Sequence, residues 1–372
     1  MGDKSAFVGG MRVKLKDITK FSKGTQINGK NLIDDGAYSY LNGGINPSGK
    51  WNEFNVAENT VTISEGGNSS GYVNYMNEAF WCGAHCYYLY DGPKNSKYLY
   101  YALKSQQERL FRIRSGACMP NIKKSDLGNF IIEYEEDETR QEEVVKVLEK
   151  CELLIEDYNK KLALLDEAVR ARFVEMFGDP VVNDKKWKIR YFSDLGELKR
   201  GKSKHRPRND PILLGGKYPL IQTGDVTNSN TYIKSYTSTY SEEGLKQSKM
   251  WKKGTLCITI AANIAESAIL TFDACFPDSV VGFTSNGEVI SLFIHYWLSF
   301  LQPILEENAP AVAQKNLNVA TLEKVGVIVP PLELQNQFAS FIQEIDKSRS
   351  RIQKSLEASQ ELFDSLMQEY FG

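Results

Sequence analysis

Residues Thr139 to Pro180 read TRQEEVVKVLEKCELLIEDYNKKLALLDEAVRARFVEMFGDP. Val144, Leu148, Cys151, Ile155, Tyr158, Leu162, Leu165, Val169 and Met176 recur at alternating four- and three-residue spacing with charge on the other faces, the pattern of one long helix with one apolar seam. Thr139 with Glu142 three residues on reads as a capping box, and Gly178 followed by Pro180 as a stop. At about 1.5 Å per residue such a helix is on the order of 55 Å long. A seam of that length needs a partner, and the stretch from Pro331 to Gly372 offers one. Phe338, Ile342, Ile345, Ile352, Leu356, Phe363, Leu366 and Tyr370 keep the same register there, and the two stretches close alike on Met176-Phe177-Gly178 and Tyr370-Phe371-Gly372. Two matching seams in one chain most simply bury each other, which predicts a pair of long antiparallel coiled-coil helices.

Working outward, each helix is preceded by a block of similar size with the same order of features, the signature of an internal duplication. Lys16-Asp17-Ile18 leading to Lys23-Gly24 matches Ser193-Asp194-Leu195 leading to Arg200-Gly201. Gly36 to Gly44 matches Gly216 to Gly224, and Val61-Thr62-Ile63-Ser64 matches Cys257-Ile258-Thr259. Tyr98 to Leu103 aligns with Phe293 to Leu298, and Pro120-Asn121-Ile122 with Lys315-Asn316-Leu317. Short runs rich in Val, Ile, Thr and Tyr between Gly, Asn and Pro turns, with a few short helices, make each block a compact α+β domain. The expected division is 1–137 and 181–330 as two homologous domains, with 138–180 and 331–372 as the long helices. The framework repeats while the loops differ, as in Glu65 to Gly71 against Ile260 to Glu266.

The chain has 372 residues, 42% hydrophobic and 25% charged, with a formal net charge of -2. These are the proportions of a globular protein of two or three domains, and they exclude a wholly basic nucleic-acid coat without excluding local basic surfaces. The start of the chain lacks the apolar segment of a signal peptide, and the most apolar run, Leu256 to Phe272, contains Asn263 and Glu266 and is too short to span a bilayer. Six cysteines in mostly apolar surroundings fit reduced core residues of a cytoplasmic protein.

Motifs for catalysis are missing. Asn46-Pro47-Ser48-Gly49 is a superficial match to a methyltransferase motif, Glu65 to Gly71 lacks the lysine of a phosphate loop, and Pro277-Asp278 lacks the rest of a nuclease metal motif. Cys82-Gly83-Ala84-His85-Cys86 has no second cluster to close a zinc site, so no metal site is assigned. With only His85, His205 and His295 in the chain, histidine-based acid/base catalysis is not expected, and His295 reads as a core or interface residue. What stands out is loop chemistry suited to DNA. Arg200, Lys202, Lys204, His205, Arg206 and Arg208 form a dense cationic loop able to neutralise phosphates, matched by Lys23 and Arg114 among the first block's cations. Amide, hydroxyl and carboxylate groups in the turns, Gln26, Asn42, Asn46, Asn68, Ser69 and Ser70 in the first block and Gln222, Thr223, Asp225 and Asn263 in the second, can read base edges.

Four stretches carry a family resemblance: Arg172 to Pro180, the Pro330-Pro331-Leu332-Glu333-Leu334-Gln335 entry to the second helix, the Ser365 to Gly372 ending, and the Tyr40 to Gly49 turn. They resemble the DNA-specificity subunit of type I restriction-modification systems over nearly the whole chain from Met11. The resemblance implies two target-recognition domains, each reading one half of a split double-stranded DNA target. It implies helices that set the half-site spacing and dock two modification (methyltransferase) subunits, with restriction subunits added outside. It also implies that the chain is not an enzyme and holds no cofactor, S-adenosylmethionine, ATP and magnesium belonging to the partner subunits. Two other readings compete: a coiled-coil adaptor whose lobes bind proteins, and the recognition part of a single-chain restriction-modification enzyme.

Overall fold

The structure is a computed structural model that describes residues 10–116, 118–261, 264–307 and 317–372. It divides into two compact units. The first holds the chain up to Lys160 and takes back Ile352–Gly372; the second is Lys161–Arg351. The two halves of each long helix therefore go with different units.

In the first unit the chain forms β1 (Met11–Lys14), α1 (Leu15–Ile18), β2 (Lys20–Lys23), β3 (Tyr38–Leu41), β4 (Gly49–Trp51), β5 (Thr60–Ser64), β6 (Val73–Met76), β7 (Phe80–Cys82) and β8 (Cys86–Tyr90). There follow α2 (Ser96–Ser105), α3 (Gln107–Arg112), α4 (Lys124–Gly128), β9 (Ile131–Tyr134) and the long α5 (Glu138–Phe177). The second unit opens with β10 (Lys188–Tyr191), β11 (Gly196–Arg200), β12 (Leu214–Leu220), α6 (Thr223–Thr227), β13 (Tyr232–Ile233), β14 (Ser238–Tyr240), α7 (Glu242–Lys246) and β15 (Met250–Trp251). It continues through β16 (Leu256–Thr259), β17 (Ser267–Leu270), β18 (Ala274–Cys275), β19 (Val280–Ser285), α8 (Ser291–Glu307), α9 (Val319–Glu323), β20 (Gly326–Val329) and α10 (Leu332–Phe371).

The duplication is visible strand by strand. Sheets ordered β2-β8-β5-β6 and β4-β3-β7 in the first unit return as β11-β19-β16-β17 and β14-β12-β18 in the second, where β13 and β15 extend them. The parallel pair β3·β7 recurs as β12·β18, and the antiparallel ribbon β1·β9 as β10·β20. Both units are α+β, with sheets and short helices gathered around a core closed by the long helices.

How those helices close each core follows from the seam. In the first unit Val144, Val145 and Leu148 from the start of α5 meet Met367 and Phe371 from the end of α10. In the second, Val169, Phe173 and Phe177 from the end of α5 meet Phe338 and Ile342 from the start of α10. Within each unit the helices run antiparallel, as the seam predicts. Ile155, Tyr158, Leu162 and Leu165 on α5, and Ile345, Ile352, Leu356 and Phe363 on α10, are half-buried. Each helix has 40 residues, about 60 Å.

The capping box at Thr139 does not form. The helix starts at Glu138, which puts the N-cap at Asp137, two residues before Thr139; Asp137 Oδ1 accepts from the Thr139 amide at 3.0 Å, an acidic N-cap that also suits the helix dipole. The stop is as expected: Gly178 has φ +76°, and its amide returns to Val174 O at 2.8 Å. A buried glutamine pins the start of each long helix, at the fourth helical residue in both. Gln141 donates to Tyr134 Oη and Glu135 O, and Gln335 donates to Pro330 O and Glu288 O. Cys118 is exposed, and the other five cysteines are buried, Cys82 and Cys86 among them in the core beside β7 and β8.

Candidate nucleic-acid interface

One edge of each unit gathers the loops singled out in the sequence. In the first unit it begins where β2 ends at Lys23 and the chain turns at Gly24. A Cβ on Gly24 would lie 1.9 Å from Cys82 O, and one on its counterpart Gly201 would lie 2.1 Å from Phe276 O. Both copies thus need a glycine there for backbone to pass backbone, and both place a cation, Lys23 or Arg200, just before it.

Around Lys23 the first unit collects the β3–β4 turn, the β5–β6 loop, the β7–β8 turn and the loop before α4. The Glu65 carboxylate, only 15% exposed, takes Lys23 Nζ at 2.8 Å and His85 Nδ1 at 3.5 Å. Asn42 Oδ1 accepts from the His85 amide at 3.3 Å, and Ser69 Oγ donates to Gly43 O at 2.5 Å. Ser70 is buried with its hydroxyl on Glu65 O at 2.8 Å. Arg114 donates to Phe111 O and Asn68 O while its guanidinium sits 4.6 Å over the Phe111 ring. Asn42, Ser69, Ser70 and Arg114 therefore shape the loops. Gln26, Asn46 and Asn68 are exposed, as are Ile45, next to Asn46, and Met119 in the loop before α4.

The equivalent edge of the second unit is more cationic. Lys204 N and His205 N both donate to Gln247 Oε1, and Ser248 Oγ donates to Lys202 O, so the backbone of the basic loop is fixed. Arg200, Lys202 and Lys204 are exposed, with no carboxylate in ion-pair range among the described residues. Arg206 and Arg208 instead share Asp278, Arg206 at 3.5 Å and Arg208 in closer contact. His205 Nε2 lies 2.9 Å from Asp210, whose carboxyl is held below its ordinary range by the Ile212 amide and then by His205. A cavity of about 310 Å³ opens beside this loop, lined by Arg208, Asn209, Gln222, Thr223, Tyr240 and Ser279 among others. Asp225 Oδ2 accepts from the Gln222 amide at 2.7 Å, and Oδ1 from Thr237 Oγ1 at 3.3 Å, so this carboxylate serves the start of α6. Gln222 Nε2 reaches Ser238 Oγ at 3.1 Å, and Thr223 Oγ1 lies 3.3 Å from Ser279 Oγ. Asn263 lies outside the described residues.

Glu65, His85, Asp278 and Ser279 complete these edges and were not among the residues expected to contact DNA. Single acids and hydroxyls in turns carry no sequence signal of the charges they gather. His295 is buried in the second unit's core, as expected, with Nδ1 3.1 Å from Ser267 Oγ and its pKa pushed down to about 4 by burial.

The described residues thus form an internally duplicated α+β scaffold with a polar, cation-bearing loop edge on each copy. The profile of the type I restriction modification DNA specificity domain matches residues 9–166 and 184–360, and the chain belongs to that family. It is 26% identical to a Mycoplasma genitalium protein named as a type I specificity subunit, across 94% of this chain and 90% of that one. A Mycoplasma pneumoniae protein so named is 36% identical over 56% of this chain and 58% of its own length. The crystal structure of the S subunit of a type I restriction-modification system from M. genitalium shares the fold. Its TM-score is 0.66 at 20% identity, covering 100% of this chain and 98% of that one. Among the described residues no helix is long and apolar enough to cross a membrane.

Proposed function

We propose that the chain is the non-catalytic sequence reader of a cytoplasmic type I restriction-modification complex, and that each unit reads one half of a bipartite duplex target. The observation that carries this reading is the pairing of a repeated framework with unlike edges. The strand order of the first unit recurs in the second, where β13 and β15 extend it, while Glu65, Lys23 and His85 stand on one edge and Asp278, Arg206, Arg208 and an exposed Arg200, Lys202 and Lys204 on the other. Two chemically different edges suit two different half-sites. Exposed Arg200, Lys202 and Lys204 are available to phosphates, and exposed Gln26, Asn46, Asn68 and Gln222 carry the paired donors and acceptors that base edges require.

The long helices set the half-site spacing and dock two modification subunits, with restriction subunits outside them. Apolar side chains off the seam support docking: Leu153 and Leu164 on α5 are 63% and 60% exposed. S-adenosylmethionine, ATP and magnesium are supplied by those partners. The experiment is co-expression with a candidate modification subunit, purification of the complex and mapping of methylated positions on a random-sequence plasmid library. A bipartite motif with a fixed gap is expected. A contiguous motif, or DNA retention insensitive to salt, overturns the reading.

A further inference from the structure

The repeat allows one copy to be read against the other, position by position. β5 pairs Ile63 with Val73 of β6, and β16 pairs Ile258 with Ser267 of β17. Two residues beyond, Glu65 O accepts from Ile122 N and Ile260 O from Leu317 N, which fixes the same register in both. Tyr72 and Val73 in the first unit thus correspond to Glu266 and Ser267 in the second.

In the first unit α2 and α3 fill the space over that pair. Lys104 Nζ donates to Val73 O at 3.2 Å and lies 3.8 Å from the Tyr72 ring centre, and Gln107 bridges Val73 N and Gly71 O. In the second unit His295, Ser299 and Gln302 hold the corresponding i, i+4 and i+7 positions of α8, and no lysine is among them. A cavity of about 330 Å³ is found there instead, lined also by Glu266, Ser267 and Arg170. Glu266 Oε2 is buried without a hydrogen-bond partner. The side chain is half-buried and lines the cavity, and a carboxylate oxygen with almost no exposed surface of its own calls for a donor. Ala265 just before it takes φ 61°, a left-handed conformation that a residue with a Cβ adopts only when its surroundings enforce it.

We propose that the second unit binds a small primary ammonium compound in this cavity, its ammonium on Glu266 in the role that Lys104 plays in the first unit. His295 adds no competing charge, because it is buried and neutral at physiological pH. Arg170, whose guanidinium sits 5.1 Å over the Phe300 ring, is a fixed positive charge on the cavity wall. The ligand therefore carries one ammonium and not several. The proposal rests on this cavity's own lining, next to the 223–225 and 260–266 segments, and stands whether or not the DNA-reading proposal does.

The test is calorimetric titration and thermal melting of the full chain with propylammonium chloride, against sodium chloride at equal ionic strength. Saturable binding at one equivalent is expected, with a melting temperature that rises with ligand by mass action. Propanol gives neither, and 1,3-diammoniopropane binds more weakly than propylammonium. Glu266→Gln weakens binding about tenfold or more, the worth of a charged hydrogen bond. Ser299→Lys, which supplies the other copy's ammonium from within, raises the melting temperature and removes the response. Failure of the wild-type chain to bind propylammonium, or binding that survives both substitutions, overturns the proposal.

Discussion

Removing Arg200, Lys202 and Lys204 together should flatten the salt dependence of DNA binding, whereas removing Arg206 and Arg208 should change it far less. All five stand in one basic stretch, Arg200 at the end of β11 and the rest in the loop that follows, but the structure separates them by what they already hold. The first three are exposed with no acid in range among the described residues, and the last two share Asp278. Each phosphate contact contributes about 0.9 to the slope of log affinity against log salt, so losing three lowers the slope by about 2.7. Between 50 and 200 mM salt, a fourfold rise, the wild-type complex should then lose about 40-fold more affinity than the triple alanine variant. Arg206→Ala with Arg208→Ala should lower the slope by less than about 1, since those charges are compensated before DNA arrives. The assay is fluorescence anisotropy on a labelled duplex, with the chain in complex with its modification subunit, at five salt concentrations. Equal slopes for the triple variant and wild type, or a larger effect of the Arg206/Arg208 pair, would refute the division of the loop into free and committed cations.

Phe173 packs against Phe177, Phe293, Phe300 and Phe338, so Phe173→Ala should cost about 3–5 kcal/mol in the second unit, read by chemical denaturation. The pKa of His295 is pushed down to about 4 by burial, from an ordinary 6.5. Between those values the unfolded chain binds the extra proton, so stability falls as pH drops through that window, by up to roughly 3 kcal/mol once below pH 4. Melting curves from pH 4 to 7 should show this, and His295→Gln should flatten the trend. Deleting four residues from α5 and four from α10, about 6 Å of each helix, should shorten the preferred gap between half-sites by one or two base pairs and leave their letters unchanged. Methylation of a spacer-length series measures it, and an unchanged gap would count against the helices as rulers.

The long helices were legible because a seam is a local periodic property. Val144, Leu148, Cys151 and Ile155 announce their shared face within a few turns, without reference to the rest of the chain. The cap was misplaced by two residues, at Thr139 instead of Asp137, because both side chains can accept from a helix N-terminus and only the geometry chooses between them. The duplicated framework was readable from the order of its features, and its strand pairing follows that order. Loop chemistry was less so. Whether Asn42, Ser69 or Arg114 faces solvent depends on His85, Gly43 and Asn68, which lie 43, 26 and 46 residues away. Asp278, 72 residues from Arg206 and 70 from Arg208, could not be connected to them by spacing.

The first and last strands of each unit form a ribbon of their own. Met11 stands opposite Tyr134, and Lys188 opposite Val329. Chain entry and exit are therefore neighbours in both copies, a few ångströms apart across one antiparallel ladder. Everything between them is a cassette with two adjacent ends. A segment spliced in at the ribbon replaces a whole reading surface without disturbing the hydrogen bonds of the helix that follows. On the proposed function, genetic exchange at those two junctions would give a protein of this build new half-sites one at a time, with α5 and α10 left as they are.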